Sequence, residues 1–253
     1  MGNITTAMVL AAGFGKRMRP ITDTIPKPLV PVNGITLLDR ILNNLSATGI
    51  KKVVVNGHYL ADVLESYLIR RNQQQPGQPH ITFSYEDAIL ETGGGIVKAL
   101  PLLGDEPFLI INGDVLWLDD GVSLLQSLAE VWDSRTMDGL LVLHPVEKAM
   151  GYEGKGDFDL AADGQLIRSE DGNSRTYVFA GISIMHPRLF VDLPSPPFSL
   201  NQLYWRAKQP DGRLKRFYGL VHQGEWLHIG TPEGLKEAEV FLRQHTANVA
   251  GVL

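Results

Sequence analysis

The chain contains no cysteine. That excludes disulfides, thiol catalysis and cysteine-held zinc together, and it fits a reducing compartment. No apolar run approaches the roughly 18 residues of a membrane span. Residues 1–6 offer neither the cationic start nor the apolar stretch of a secretory leader. The expected location is therefore the cytoplasm, with no membrane partner. Gly2 and Thr6 formally match a myristoylation pattern, which reads better as a chance match. A surplus of positive charge is also missing: 23 Lys and Arg stand against 28 Asp and Glu, a net charge of −5. Nucleic acid is accordingly not an expected partner. Internal repeats and low-complexity linkers are absent too.

What is present is a chain of 253 residues, 44% of them hydrophobic, enough for a sizeable core. Strand-like and helix-like segments alternate through the first half. Short apolar runs at 7–10, 52–56 ("KVVVN"), 81–85, 108–112 ("FLIIN") and 139–144 read as strands. Between them, 35–48 carries Ile35, Leu38, Ile41, Leu42 and Leu45 at helical spacing, with Gly49 as a stop. Residues 60–71, 95–100 and 122–132 read as further helices. This pattern predicts an α/β fold with a mostly parallel sheet covered on both faces. Ligands of such sheets sit outside the carboxyl ends of the strands. The second half reads as a hairpin over 157–169, strands at 177–185 and 214–222, and a last helix. Thr231 caps that helix and Pro232 occupies its first position. A single α/β domain is expected over 1–253, with an antiparallel extension in its second part, about 146–253.

Two stretches carry chemistry. "VLAAGFGKRMRP" (9–20) leaves the first strand through Gly13 and Gly15 and then presents Lys16, Arg17 and Arg19. Glycines permit positive φ and close backbone approach, and exposed N–H groups followed by cations make an anion site. It is neither a Walker A loop nor a dinucleotide fingerprint, because no Gly-Lys-Ser/Thr ending follows and Met18 takes the third glycine position. In "IPKPLVPV" (25–32), prolines on both sides of Lys27 restrict where its ammonium can point. Asp114, in Asn112-Gly113-Asp114, ends a buried strand where a carboxylate can hold a divalent cation against phosphate, or simply form an Asx turn. Tyr204 and Trp205 read as packing residues.

The stretch "LAAGFGKRMRPITDTIPKPLVPV" resembles the signature of the sugar-1-phosphate nucleotidyltransferases. The resemblance continues in "ETGGGIVKALPLLG", "LIINGDV", "FAGISIMHP" and "GEWLHIGTPEGL". It implies a Rossmann-like, GT-A-like nucleotide-diphospho-sugar transferase fold with a small antiparallel sugar-binding extension. It also implies transfer of a nucleotidyl group from a nucleoside triphosphate to a sugar 1-phosphate, with Mg²⁺ as cofactor. The ETGGG form points to the muramate-specific uridylyl branch, with UTP as donor. Mannose- or heptose-phosphate guanylyl transfer and an impaired nucleotide-sugar binder are the alternatives. By this resemblance Ala11, Ala12, Gly13, Gly15 and Lys16 wrap the nucleotide, and Arg17 grips its β- and γ-phosphates. Lys27 meets the α-phosphate or the sugar phosphate. Glu91, Thr92 and Gly93 face the base. Asn112, Gly151, Glu170 and Gly181 border the sugar phosphate, although the usual Glu-Lys-Pro is replaced by "RSEDGNS" (168–174). Asp114 holds the metal. Its usual partner, an aspartate in a Trp-x-Asp-x-Gly-Thr pattern, is here His228. Imidazole suits Mg²⁺ poorly and Mn²⁺ better, so Mn²⁺ is a second expectation. The chain is expected to be a monomer or a weak homo-oligomer.

Overall fold

The computed structural model describes residues 4–75, 79–168 and 173–250. In chain order the elements are β1 (Thr6–Leu10), β2 (Pro31–Val32), β3 (Ile35–Thr36), α1 (Leu37–Ala47), β4 (Lys52–Gly57), α2 (Ala61–Gln74), β5 (His80–Tyr85) and α3 (Glu91–Leu103). There follow β6 (Phe108–Asn112), β7 (Val115–Leu118), α4 (Leu124–Val131), β8 (Gly139–Pro145), β9 (Asp159–Leu160), β10 (Gln165–Ile167) and β11 (Tyr177–Met185). The chain closes with α5 (Asn201–Ala207), β12 (Arg213–Val221), β13 (Glu225–His228) and α6 (Pro232–Ala250).

Nine strands form the main sheet in the order β5-β4-β1-β6-β11-β8-β12-β10-β9. Seven run in one direction and only β10 and β11 oppose them. The expected mostly parallel sheet is therefore present, with the antiparallel strands in the second half. Its central strands are apolar on both faces because both faces are covered. Along β1, Ala7 and Val9 face the cluster that holds Leu38, Ile41, Leu42 and Leu45 of α1. Met8 faces the opposite cluster, which holds Ile96, Ala99 and Leu103 of α3 and Leu203 of α5. Burying each of the larger of these side chains, the Val, Leu, Ile and Met, stabilises the fold by about 1.5–3 kcal/mol. A third cluster joins α6, through Ala238 and Leu242, to Leu116 and Leu227 of the separate β7–β13 pair.

The first helix begins later than its apolar spacing suggests. Thr36 accepts the Asp39 N–H at 3.0 Å and caps α1. Ile35 falls outside it, 43% exposed in the short β3. The helix expected over 95–100 instead runs from Glu91 to Leu103 and takes all three glycines of "ETGGG" into its first turns. Glycine costs a helix about 1 kcal/mol per residue. Here packing overrides that penalty, because α-carbon hydrogens are all that the surroundings admit. A Cβ on Gly93 would lie 2.3 Å from the Phe198 ring, and one on Gly95 would lie 2.6 Å from Glu86 Oε1. The β7–β13 pairing and α5 carry no strong sequence signal. The last helix is capped as expected, with the Gly234 N–H donating to Thr231 Oγ1 at 3.1 Å.

Candidate functional site

Chain order places the site. From β1 the sheet grows outward through β4 to β5, and the chain then returns to lay β6 on the other side of β1. The crevice beyond the strand ends at such a reversal is where α/β sheets bind ligands. A cavity of about 240 Å³ opens there, lined by Leu10, Ala11, Ala12, Gly13, Lys27, Pro28 and Asn56 on one side. Glu86, Ile89, Glu91, Thr92, Asn112, Gly113 and Asp114 line the other.

Each wall has a local cause. The Gly113 N–H donates to Leu10 O at 2.9 Å, and a Cβ at 113 would lie 2.7 Å from that oxygen. Only glycine lets the Asn112–Asp114 turn pass beneath the end of β1. The Ala11 N–H donates to Asn56 Oδ1 at 2.7 Å, and Asn56 Nδ2 donates to Glu86 Oε1 at 2.7 Å. This relay ties the start of the glycine loop to the wall opposite. Burial raises Glu86 above the ordinary carboxyl range, and the Asn56 hydrogen bond offsets only part of that.

On the floor, Lys27 Nζ donates to Asp114 Oδ2 at 2.6 Å. His228 Nε2 stands 3.6 Å from the same oxygen. Pairing of Val115 with His228 in β7 and β13 creates that proximity. Burial pushes the Asp114 carboxyl up, but the neighbouring His228 ring and the Lys27 ammonium outweigh it and hold it below the ordinary carboxylate range. These neighbours favour the carboxylate form of Asp114. Its oxygens suit a hard cation, yet among the described residues no three His, Cys, Asp or Glu side chains come together. The donors fit an ion that draws its remaining ligands from substrate phosphates and water.

Of the residues singled out from sequence, Ala11, Ala12, Gly13, Lys27, Glu91, Thr92, Asn112 and Asp114 all line this cavity. Gly15 lies behind the loop in the left-handed region, at φ +61°, against Thr22. Lys16 and Arg17 sit exposed in a short 3-10 turn (Lys16–Met18). Among the described residues no side chain pairs with Arg17. Gly93 is not a cavity residue: its N–H and that of Gly94 donate to Phe198 O at 3.0 and 3.1 Å. The flat group pressed on this glycine run is the chain's own Phe198. Gly151 and Gly181 stand behind the floor, the first against His228 O and the second against Asn112. Glu170 lies outside the described residues. Tyr204 packs in the core, whereas Trp205 is 41% exposed with the Arg168 guanidinium 4.4 Å from its ring centre. Asn56, Glu86 and Ile89 escaped sequence reasoning. Only Asn56 carried a signal, as the polar end of the apolar "KVVVN" strand.

The comparisons fit this geometry. The family model "Nucleotidyl transferase" matches residues 6–157. An N-acetylmuramate alpha-1-phosphate uridylyltransferase from Caulobacter vibrioides is 40% identical over 94% of this chain and 97% of its own. A protein of the same name from Neisseria meningitidis serogroup B is 36% identical over 92% and 96%. A D-glycero-alpha-D-manno-heptose 1-phosphate guanylyltransferase from Aneurinibacillus thermoaerophilus is 28% identical over 94% and 99%. Among solved structures, HddC from Yersinia pseudotuberculosis complexed with GMP-PN superposes with a TM-score of 0.74 at 23% identity, covering 94% of this chain and all of that one. A UDP-glucose pyrophosphorylase complexed with UDP-glucose gives 0.76 at 18% identity, over 96% of this chain and all of that one. Both share the GT-A-like fold. Family model and near full-length relatives lead to one conclusion: this chain belongs to the nucleotidyl transferase family and is a sugar-1-phosphate nucleotidyltransferase.

Proposed function

We propose that the chain transfers a uridylyl group from UTP to N-acetylmuramate 1-phosphate. The carrying observation is the 40% identity, across nearly the whole of both chains, to an N-acetylmuramate alpha-1-phosphate uridylyltransferase. In the reaction a phosphate oxygen of the sugar attacks the α-phosphorus of UTP. The bond from that phosphorus to the bridging oxygen breaks, and pyrophosphate leaves with the electron pair. No enzyme nucleophile is required, which agrees with a chain that lacks cysteine. The demand is for positioning and charge neutralisation.

The residues divide that work as follows. Gly13, where a Cβ would meet nothing within 4 Å, leaves room for phosphate against the backbone N–H groups. Lys16 and Arg17 meet the β- and γ-phosphates and stabilise departing pyrophosphate. Lys27 exchanges part of its contact with Asp114 for the α-phosphate or the incoming sugar phosphate. Glu91 and Thr92 border the base. Asn112, Gly151, Gly181 and Glu170 belong to the sugar-phosphate side. Asp114 would hold Mg²⁺, or Mn²⁺, with His228 Nε2 beside it; when bound, such an ion neutralises phosphate charge. A cytoplasmic monomer or weak homo-oligomer completes this reading. The test is pyrophosphate release from each of the four common nucleoside triphosphates against a panel of sugar 1-phosphates. A preference for UTP with N-acetylmuramate 1-phosphate supports it. A preference for GTP with a heptose or mannose phosphate replaces it with the guanylyl reading.

A further inference from the structure

The cationic turn that carries Lys16 and Arg17 is exposed. It is held from outside, by the turn between β4 and α2. The Phe14 ring, 36% exposed between the two glycines of the loop, meets His58 edge-on at 5.6 Å between ring centres. It also lies tilted against Tyr59 at 5.7 Å. The Tyr59 hydroxyl reaches the carbonyls of Thr22 and Asp23 at 3.0 and 3.4 Å. Those carbonyls belong to the far end of the same loop, where Thr22 Oγ1 donates back to Gly15 O at 2.8 Å. His58 Nδ1 lies 2.8 Å from Glu86 O. A carbonyl oxygen only accepts, so Nδ1 carries the proton. One short segment therefore grips both ends of the cation loop and the opposite wall of the cavity.

The backbone bears a cost at this segment. Leu60, next to Tyr59, sits in the left-handed region at φ +51° and ψ +40°. A non-glycine residue there is strained, and such strain persists only where the surroundings over-determine it. The aromatic contacts and the two carbonyl contacts of Tyr59 supply that over-determination. Meanwhile the Lys16 ammonium rests 5.1 Å from the Phe14 ring centre, within cation–π range. The ring thus touches the cation as well as the latch.

We propose that Phe14 and Tyr59 are positioning residues: together they latch the Lys16–Arg17 turn at the cavity mouth and so set the grip on the triphosphate tail. This rests on the reading of Lys16 and Arg17 as triphosphate ligands. Phe14 and Tyr59 themselves contact the loop and each other, while His58 alone reaches the opposite wall, so loss of the Phe14 ring or the Tyr59 hydroxyl acts first on the β- and γ-phosphates. Preorganisation of a loop contributes to affinity by removing the cost of ordering it on binding.

The experiment measures equilibrium binding of UTP and of UMP, with Mg²⁺ and without sugar, to the wild type, Tyr59→Phe, Phe14→Ala and Phe14→Tyr. Steady-state kinetics and melting curves accompany it. Tyr59→Phe and Phe14→Ala are expected to weaken UTP about tenfold and to raise its KM similarly. UMP affinity and the sugar KM should stay within about twofold, kcat should fall because the same turn holds departing pyrophosphate, and Phe14→Tyr should keep UTP binding near wild type. Equal weakening of UTP and UMP alongside a lower Tm would mean a merely structural role and overturn the proposal. Unchanged UTP binding in both variants overturns it as well. If the wild type binds neither nucleotide, the reading of the site falls first and takes the latch with it. If the wild type binds and turns over while the variants match it, only the latch is lost.

Discussion

Replacing Gly93 by alanine separates two explanations of the glycine run. By family resemblance Gly93 faces the base. In the structure it faces Phe198. A Cβ at 93 would lie 2.3 and 2.5 Å from two carbons of that ring and 2.9 Å from the Phe198 carbonyl oxygen. The two ring approaches are about 1 Å or more inside the roughly 3.5–4.0 Å contact of two carbons, and the ring is buried. Overpacking of this kind costs about 1–3 kcal/mol. Moving Phe198 also strains the two hydrogen bonds that Gly93 and Gly94 donate to its carbonyl, each worth about 1 kcal/mol. Against this, alanine gains about 1 kcal/mol of helix propensity. The net expectation is a loss of about 2–4 kcal/mol, which for a chain of this size lowers Tm by roughly 5–15 °C. Gly13→Ala is the control. No atom lies within 4 Å of its Cβ, so its Tm should stay within about 2 °C of wild type while its KM for UTP rises. Scanning calorimetry and steady-state kinetics on both variants decide the matter. A Gly93→Ala protein that melts like wild type but no longer discriminates between UTP and CTP would refute the packing explanation.

Arg17→Ala should lower turnover by about 10³-fold, in line with loss of a charge clamp at a phosphoryl centre. Its melting curve should not move, because the side chain is exposed and has no partner among the described residues; near-normal turnover removes Arg17 from the mechanism. His228→Asp should reach half-maximal rate at a lower Mg²⁺ concentration than wild type and narrow the advantage of Mn²⁺, read by titrating each metal against pyrophosphate release. Wild type saturating with Mg²⁺ as tightly as the variant would show that position 228 is no ligand. Glu86→Gln should change the pH dependence of stability. With its folded value above the ordinary 4.5, Glu86 binds more protons folded than unfolded in the window just above 4.5. Wild-type stability therefore falls as pH rises through that window, and the variant lacks this loss. Urea melts from pH 4 to 8 should show the Gln variant gaining relative to wild type; parallel curves would contradict the buried, raised carboxyl.

The parallel core of the sheet was legible because strands such as "KVVVN" and "FLIIN" are apolar on both faces and separated by helical spacing. The glycine loop, Lys27 and Asp114 were legible as chemistry because their neighbours, glycines and prolines, restrict the backbone in ways a solvated surface does not need. What escaped depends on contacts distant in sequence. Asn56 joins the site only because Ala11 is 45 residues away in sequence and one strand away in space. Glu86 follows β5 with nothing local to mark it. The triple glycine reads as the opening of a short helix at 95–100, and its place inside a helix from Glu91 to Leu103 goes with the packing of Phe198, more than a hundred residues on. His228 was visible as a departure from a pattern, but its 3.6 Å approach to Asp114 required the β7–β13 pairing, which no periodicity announced.

The most direct measurement of the central claim is pyrophosphate release by the purified protein supplied with UTP, N-acetylmuramate 1-phosphate and a divalent cation, with UDP-N-acetylmuramate followed in parallel. Turnover should give one pyrophosphate per nucleotide sugar formed and none without the sugar 1-phosphate, and Arg17→Ala should lower it by about 10³-fold. A folded wild-type protein that forms no nucleotide sugar from UTP with any sugar 1-phosphate, or that works only with GTP, would contradict it.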